Sequence, residues 1–276
     1  MKLATVRTDE GTRAARLTDD GHVLLDAPDV GALLARDDWA DVAASARGQA
    51  RPVAEAVFAP VVPRPGKILC VGLNYRPHIL EMGRDLPEHP TLFAKFADAL
   101  IGARDDILLP PESSAVDWEA ELTVVIGRTV RRATEEEAER AIAGFTIMND
   151  VSMRDWQFRT KEWLQGKTFD SSTPLGPVMV TPDELPGGVR PALSLGCRVD
   201  GEVMQKANTS DLVFDPVTLV RYASTIITLR PGDVIATGTP GGVGHARKPP
   251  RYLTDGATVV TEIEGIGRLE NTARTA

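Results

Sequence analysis

The chain has 276 residues, 42% of them hydrophobic, and a formal net charge of −8. That length supports one substantial core with a small appendage, and the acidic balance excludes a nucleic-acid surface, which needs clustered Lys and Arg to neutralise phosphates. No apolar run nears the roughly 20 residues that span a bilayer, and the start of the chain lacks the apolar core of a secretion signal, so no membrane partner is expected and the expected location is cytoplasmic.

The first part of the chain alternates strand-like pieces at 3–7, 14–17 and 22–25 with turns, then reads as helical from 30 to about 46. Residues 59–66 hold three prolines and a glycine, which favours an extended linker. A boundary is expected near residue 62, giving a small N-terminal domain, 1–62, and a catalytic domain, 63–276. From Lys67 onward buried-strand runs dominate, at 68–72, 122–126, 145–149, 178–180, 193–199, 234–237 and 259–263. Helices are fewer. Thr134 ahead of Glu135, Glu136 and Glu137 predicts a capped helix with Gly144 as its stop, and a second covers 216–225. Cys70 and Cys197 stand far apart in no redox or metal spacing and read as small buried hydrophobes. The pattern predicts a mixed α/β, β-rich fold.

The chemistry concentrates on carboxylates. Glu119 and Glu121 precede an apolar, β-branched run, so the i, i+2 spacing places both on one side of a strand. Asp150 ends the next predicted strand and can return beside them. Three converging carboxylates without His or Cys favour a hard cation, Mg²⁺ or Mn²⁺. On spacing alone, a solvated edge strand with Asp150 in a turn fits equally well.

A second group follows the strand at 68–72. If Pro77 opens a short helix, His78 and Glu81 share a face as an acid/base dyad; a structural histidine at a helix start is the alternative. The glycine-rich segment 237–244 either offers backbone amides to an anionic oxygen or is a tight turn. Nucleotide-binding loops, a serine nucleophile elbow and a zinc-protease helix are all missing from the sequence.

Read in order, Gly-Leu-Asn-Tyr-x-x-His-x-x-Glu-Met-Gly, Asp-Trp-Glu-x-Glu-Leu, Asn-Asp-Val-Ser-x-Arg-Asp-x-Gln, Gly-Lys-Thr-Phe-Asp, Pro-Leu-Gly-Pro and Pro-Gly-Asp-Val-Ile-x-Thr-Gly-Thr-Pro resemble the fumarylacetoacetate hydrolase superfamily from about residue 65 to 271. The resemblance implies a β-roll catalytic domain behind a small N-terminal α+β domain, usually as a homodimer. It implies Mg²⁺, Mn²⁺ or Ca²⁺ held by Glu119, Glu121 and Asp150, and a His78–Glu81 dyad that activates water. By the same resemblance Lys167 would face the substrate oxygens, and Tyr75, Arg154, Gln157 and Thr239 would contact or orient a small anionic 2-oxo acid. Phe96 departs from the pattern, because many members carry proline after the lysine. The implied reaction is hydrolysis of a carbon–carbon bond in an acylpyruvate-type diketo acid. Decarboxylation of oxaloacetate, isomerisation of a hydroxymuconate-type dienol, and a metal-binding homologue without turnover are the alternatives.

Overall fold

Alternation of apolar and polar residues shapes the start of the chain into an antiparallel meander, β1 (Lys2–Thr8), β2 (Gly11–Thr18) and β3 (Gly21–Leu24). The computed structural model describes residues 1–81, 83 and 85–276, with the side chains of His78 and Glu81 outside the described set. The single helix expected over 30–46 is two, α1 (Val30–Leu34) and α2 (Trp39–Ser45). Asp29 caps α1 through the Ala32 amide at 2.8 Å, while residues 35–38 are all exposed and offer no apolar face to continue it.

After the extended segment come β4 (Ile68–Gly72), α3 (Arg76–Glu81), β5 (Thr91–Lys95), β6 (Leu100–Ile101), β7 (Ile107–Leu109) and β8 (Val116–Asp117). They lead to β9 (Ala120–Ile126), α4 (Glu135–Ala141), β10 (Ile142–Asn149), β11 (Ser152–Met153), α5 (Arg154–Gln157) and α6 (Leu164–Lys167). The chain closes with β12 (Thr173–Val180), β13 (Ser194–Val199), β14 (Glu202–Asn208), α7 (Pro216–Ile226), β15 (Val234–Ala236), β16 (Thr258–Ile263) and β17 (Gly267–Thr275).

A ten-stranded sheet runs β3-β2-β1-β12-β10-β9-β15-β4-β5, with β6 paired to β12, and a five-stranded sheet runs β14-β13-β16-β17-β7. The fold is therefore strand-rich mixed α/β. The N-terminal meander pairs with β12, Lys2 opposite Val180, so the large sheet continues across residue 62. Every residue of β9 and β10 is buried, as expected for central strands covered on both faces. Leu122, Val124, Ile126, Phe145 and Ile147 are fully enclosed there, each stabilising the fold by roughly 1.5–3 kcal/mol. Cys70 and Cys197 are free and buried.

The capping box at α4 forms as the sequence predicts, with Thr134 and Glu137 bonding each other's amides. Its stop does not. The helix ends at Ala141, and Gly144 lies within β10, where an added Cβ would stand 2.4 Å from the Val180 carbonyl oxygen. This glycine serves the close approach of two strands, not a helix terminus. Among the described residues no helix is long and apolar enough to cross a membrane.

Candidate active site

Glu119 stands in the short break between β8 and β9, and Glu121 is the second residue of β9. β10 returns antiparallel with Met148 opposite Glu121 and Asn149 opposite Ala120, and the Asp150 amide then donates to the Glu119 carbonyl at 2.8 Å. Asn149 locks this corner: its Oδ1 accepts from the Glu119 amide at 2.9 Å and its Nδ2 donates to Thr261 Oγ1 at 2.9 Å. Glu119, Glu121 and Asp150 thus each present an oxygen within 4.8 Å of the others, and all three are buried. The solvated-edge alternative is removed by that burial.

Buried like charges need compensation. Lys167 Nζ lies 2.7 Å from Glu119 Oε2 and 2.8 Å from Asp150 Oδ2, and Lys95 Nζ lies 2.7 Å from Asp150 Oδ1. Arg154 donates through Nε to Asp117 Oδ2 at 2.8 Å and Nη1 to Gln157 Oε1 at 2.8 Å, with Nη2 2.7 Å from Glu119 Oε1. Burial would raise the Asp150 carboxyl, but Lys167 and Lys95 outweigh it and hold this acid at about 2. Burial likewise opposes the Lys167 charge, yet Asp150 and Glu119 keep the ammonium up at about 12.

Glu121 is the exception. Its Oε2 accepts from the Gly238 amide at 2.8 Å, and among the described residues no cation pairs with it. Burial first, then Asp150 and Glu119, push its carboxyl well above the usual range. Four carboxylates, Asp117 included, face three cations, so among the described residues Glu121 is the carboxyl left without a compensating positive charge. A divalent ion fits this donor set: all-oxygen ligands suit Mg²⁺, Mn²⁺ or Ca²⁺, and its two charges would leave the cluster net positive, ready for an anionic ligand.

The cluster opens into a cavity of about 320 Å³ lined by Glu119, Glu121, Arg154, Gln157, Lys167 and Thr239 together with Phe93, Phe158, Trp163 and His245. Phe93 places its ring 5.0 Å beneath the Lys167 ammonium. Thr239 donates to the Ala120 carbonyl at 3.1 Å and accepts from Gln205 Nε2 at 2.8 Å. The glycine-rich segment does present amides to anionic oxygens, but those oxygens are the protein's own. Gly238 serves Glu121, while Gly244 and His245 serve Asp117 at 2.6 and 3.0 Å.

Tyr75, expected to contact substrate, stands apart from the other candidates. It is 1% exposed, lies outside the cavity lining, and its hydroxyl has no hydrogen-bond partner among the described residues. α3 spans His78 and Glu81, but the dyad itself falls outside the described residues. Phe96 is exposed, and its amide donates to Thr168 Oγ1 at 3.0 Å, a bond that proline could not make. The residue after Lys95 is thereby tied to the residue after Lys167. Lys95, Asp117, Gln205 and His245 take part in the site although sequence reasoning assigns them no role; the family pattern marks Lys95 only as the residue before Phe96.

The sequence profile described as fumarylacetoacetate (FAA) hydrolase C-terminal matches residues 67–274, and the chain belongs to this family. Over 222 residues it is 48% identical to oxaloacetate tautomerase FAHD2A, mitochondrial, of Bos taurus, a match covering 80% of this chain and 70% of that protein. The Homo sapiens protein of the same name is 46% identical over 222 residues, with the same coverage. Among solved structures, fumarylacetoacetate hydrolase from psychrophilic Exiguobacterium antarcticum superposes with a TM-score of 0.85 at 31% identity, covering 100% of both chains. Maleylpyruvate hydrolase from Sphingobium sp. SYK-6, solved with manganese (II) ion and pyruvate, superposes with a TM-score of 0.81 at 28% identity, again over 100% of both. A divalent-metal site is suggested by that manganese together with the buried acidic trio.

Proposed function

We propose that this enzyme interconverts the keto and enol forms of oxaloacetate or a close 2-oxo diacid, with Mg²⁺ or Mn²⁺ held by Glu119, Glu121 and Asp150. The observation that carries the reading is a buried cluster of carboxylates and lysines in a chain 48% identical to a protein named for that reaction. A bound divalent ion supplies Lewis acidity toward a keto oxygen.

The chain's own groups do the rest. Lys167 remains an ammonium between Glu119 and Asp150, so it acts as a fixed donor toward developing enolate charge and not as a base. Arg154 spends three nitrogens on Asp117, Glu119 and Gln157 and keeps Glu119 oriented. Phe93, Phe158 and Trp163 line the cavity with apolar surface that limits water around the enolate. Tautomerisation takes a proton from carbon and returns one to oxygen; no carbon–carbon bond breaks and no water is consumed. One proton carrier suffices, and His78 supported by Glu81 is the candidate that the family resemblance supplies. The homodimer implied by that resemblance belongs to the same proposal, with light scattering as its test.

Hydrolysis of an acylpyruvate-type diketo acid is the second reading, favoured by the likeness to maleylpyruvate hydrolase. The deciding experiment follows decay of the oxaloacetate enol absorbance, with pyruvate release from oxaloacetate and from acetylpyruvate measured in parallel, each with Mg²⁺, Mn²⁺ or EDTA. Faster, EDTA-sensitive enol decay supports the tautomerase. Pyruvate release from acetylpyruvate without any effect on enol decay replaces it with the hydrolase, and pyruvate release from oxaloacetate alone replaces it with a decarboxylase.

A further inference from the structure

A 2-oxo diacid brings a second carboxylate into the cavity, and the basic groups near the acidic trio are already shared. Lys167 divides between Glu119 and Asp150, and Arg154 between Asp117 and Glu119. Among the described residues that line the cavity, His245 is the one basic side chain not paired with a carboxylate.

Its placement is built. The His245 amide donates to Asp117 Oδ2 at 3.0 Å, the same oxygen that takes Arg154 Nε at 2.8 Å, and Gly244 donates to Asp117 Oδ1 at 2.6 Å. Arg154 in turn holds Glu119. The chain Glu119, Arg154, Asp117, His245 therefore fixes this rim loop relative to the acidic trio. The imidazole packs 5.1 Å from the Phe158 ring and 6.4 Å from that of Tyr252, and its Nδ1 lies 2.9 Å from the Tyr252 hydroxyl. When that hydroxyl donates to Nδ1, Nε2 is left as the donor of the ring. Among the described residues nothing bonds Nε2.

We propose that His245, oriented by Tyr252, is the specificity-determining residue that receives the distal carboxylate of the substrate and so selects 2-oxo diacids over 2-oxo monoacids. The inference rests on the tautomerase reading for its substrate class. Its test uses two unreactive probes instead of turnover: oxamate, which mimics only the 2-oxo acid head, and N-oxalylglycine, which adds a distal carboxylate. Both are titrated calorimetrically into Mg²⁺-loaded protein.

Wild type is expected to prefer N-oxalylglycine, and His245→Leu to weaken that probe by about tenfold, the loss of one hydrogen bond to a charged group, while oxamate binds unchanged. Unchanged oxamate affinity also shows that the variant is folded. Tyr252→Phe is expected to reduce the preference in the same direction. The proposal is overturned if wild type shows no preference, if His245→Leu leaves the ratio intact, or if it weakens both probes equally. A wild type that prefers N-oxalylglycine but leaves oxaloacetate enol decay unchanged would sink the tautomerase reading and leave the subsite standing.

Discussion

Gly238 gives its amide to a carboxylate 117 residues earlier in the chain, Glu121 Oε2, at 2.8 Å. Only glycine suits the position: its φ is +104°, and an added Cβ would meet the Val71 carbonyl oxygen at 2.9 Å and Asn74 Cβ at 3.0 Å. Gly238→Ala is expected to cost about 1–3 kcal/mol and to loosen the support of Glu121. Urea denaturation checks the first effect and Mg²⁺ titration the second; a wild-type midpoint would refute the strain argument.

The raised carboxyl of Glu121 makes ion binding depend on pH. An acid that holds its proton more tightly when folded contributes fully to stability below its unfolded pKa of roughly 4.3, and that contribution is lost as pH rises through the higher folded value. A divalent ion must expel this proton, so Mg²⁺ affinity is expected to climb with pH across that window. Calorimetry in two buffers of different ionisation heat reads the released proton, and identical heats in both would contradict it. Glu121→Gln should leave metal-free stability intact, yet weaken Mg²⁺ binding by more than the roughly 10–100-fold typical of residues that merely support a ligand.

Lys95 is buried against Asp150 and reaches no other carboxylate among the described residues. Lys95→Met strips one of two lysines from buried Asp150 and leaves Lys167 at 2.8 Å, so the expected cost in metal-free protein is below the roughly 3–5 kcal/mol of a fully unpaired buried charge. Added Mn²⁺ should recover part of the loss by restoring positive charge beside Asp150. Melting curves with and without Mn²⁺ decide this, and a loss that the ion leaves untouched would mean that packing, not charge, sets Lys95's worth.

What could be read from the sequence was what periodicity and short spacing encode. The i, i+2 relation of Glu119 to Glu121 and the return of Asp150 on the next strand are local facts, and the β9–β10 register realises them. Lys95 and His245 were illegible for the opposite reason. Lys95 meets Asp150 from 55 residues away, and His245 meets Asp117 from 128 residues away, distances over which no pattern in one chain specifies contact. Gly144 was misread because a glycine after a helical run signals a terminus as readily as a close strand approach. Tyr75 holds a place in a family motif, yet it is buried and outside the cavity lining, a placement that no local pattern announces.

Burial also governs the two thiols. It lifts Cys197 to about 12 and Cys70 well above the ordinary range. Near the roughly pH 8.5 at which a free cysteine is half ionised, native protein should resist thiol-specific reagents, and both cysteines should react after unfolding in urea. Rapid labelling of the native protein would mean that the interior around β4 or β13 opens readily.

β15 is three residues long, yet it is the seam of the large sheet, antiparallel to β9 on one side and parallel to β4 on the other. The acids of the site are synthesised long before it. A nascent chain that has emerged as far as Asp150 carries every carboxylate of the cluster, but its β4–β5 hairpin has nothing to join it to β9. Closing so distant a pairing is slow compared with local folding, and Glu121 lacks its amide partner until Val234–Ala236 and Gly238 are in place. A chain cut short of residue 234 is therefore expected to retain all of these acids without the strand that joins β4 to β9.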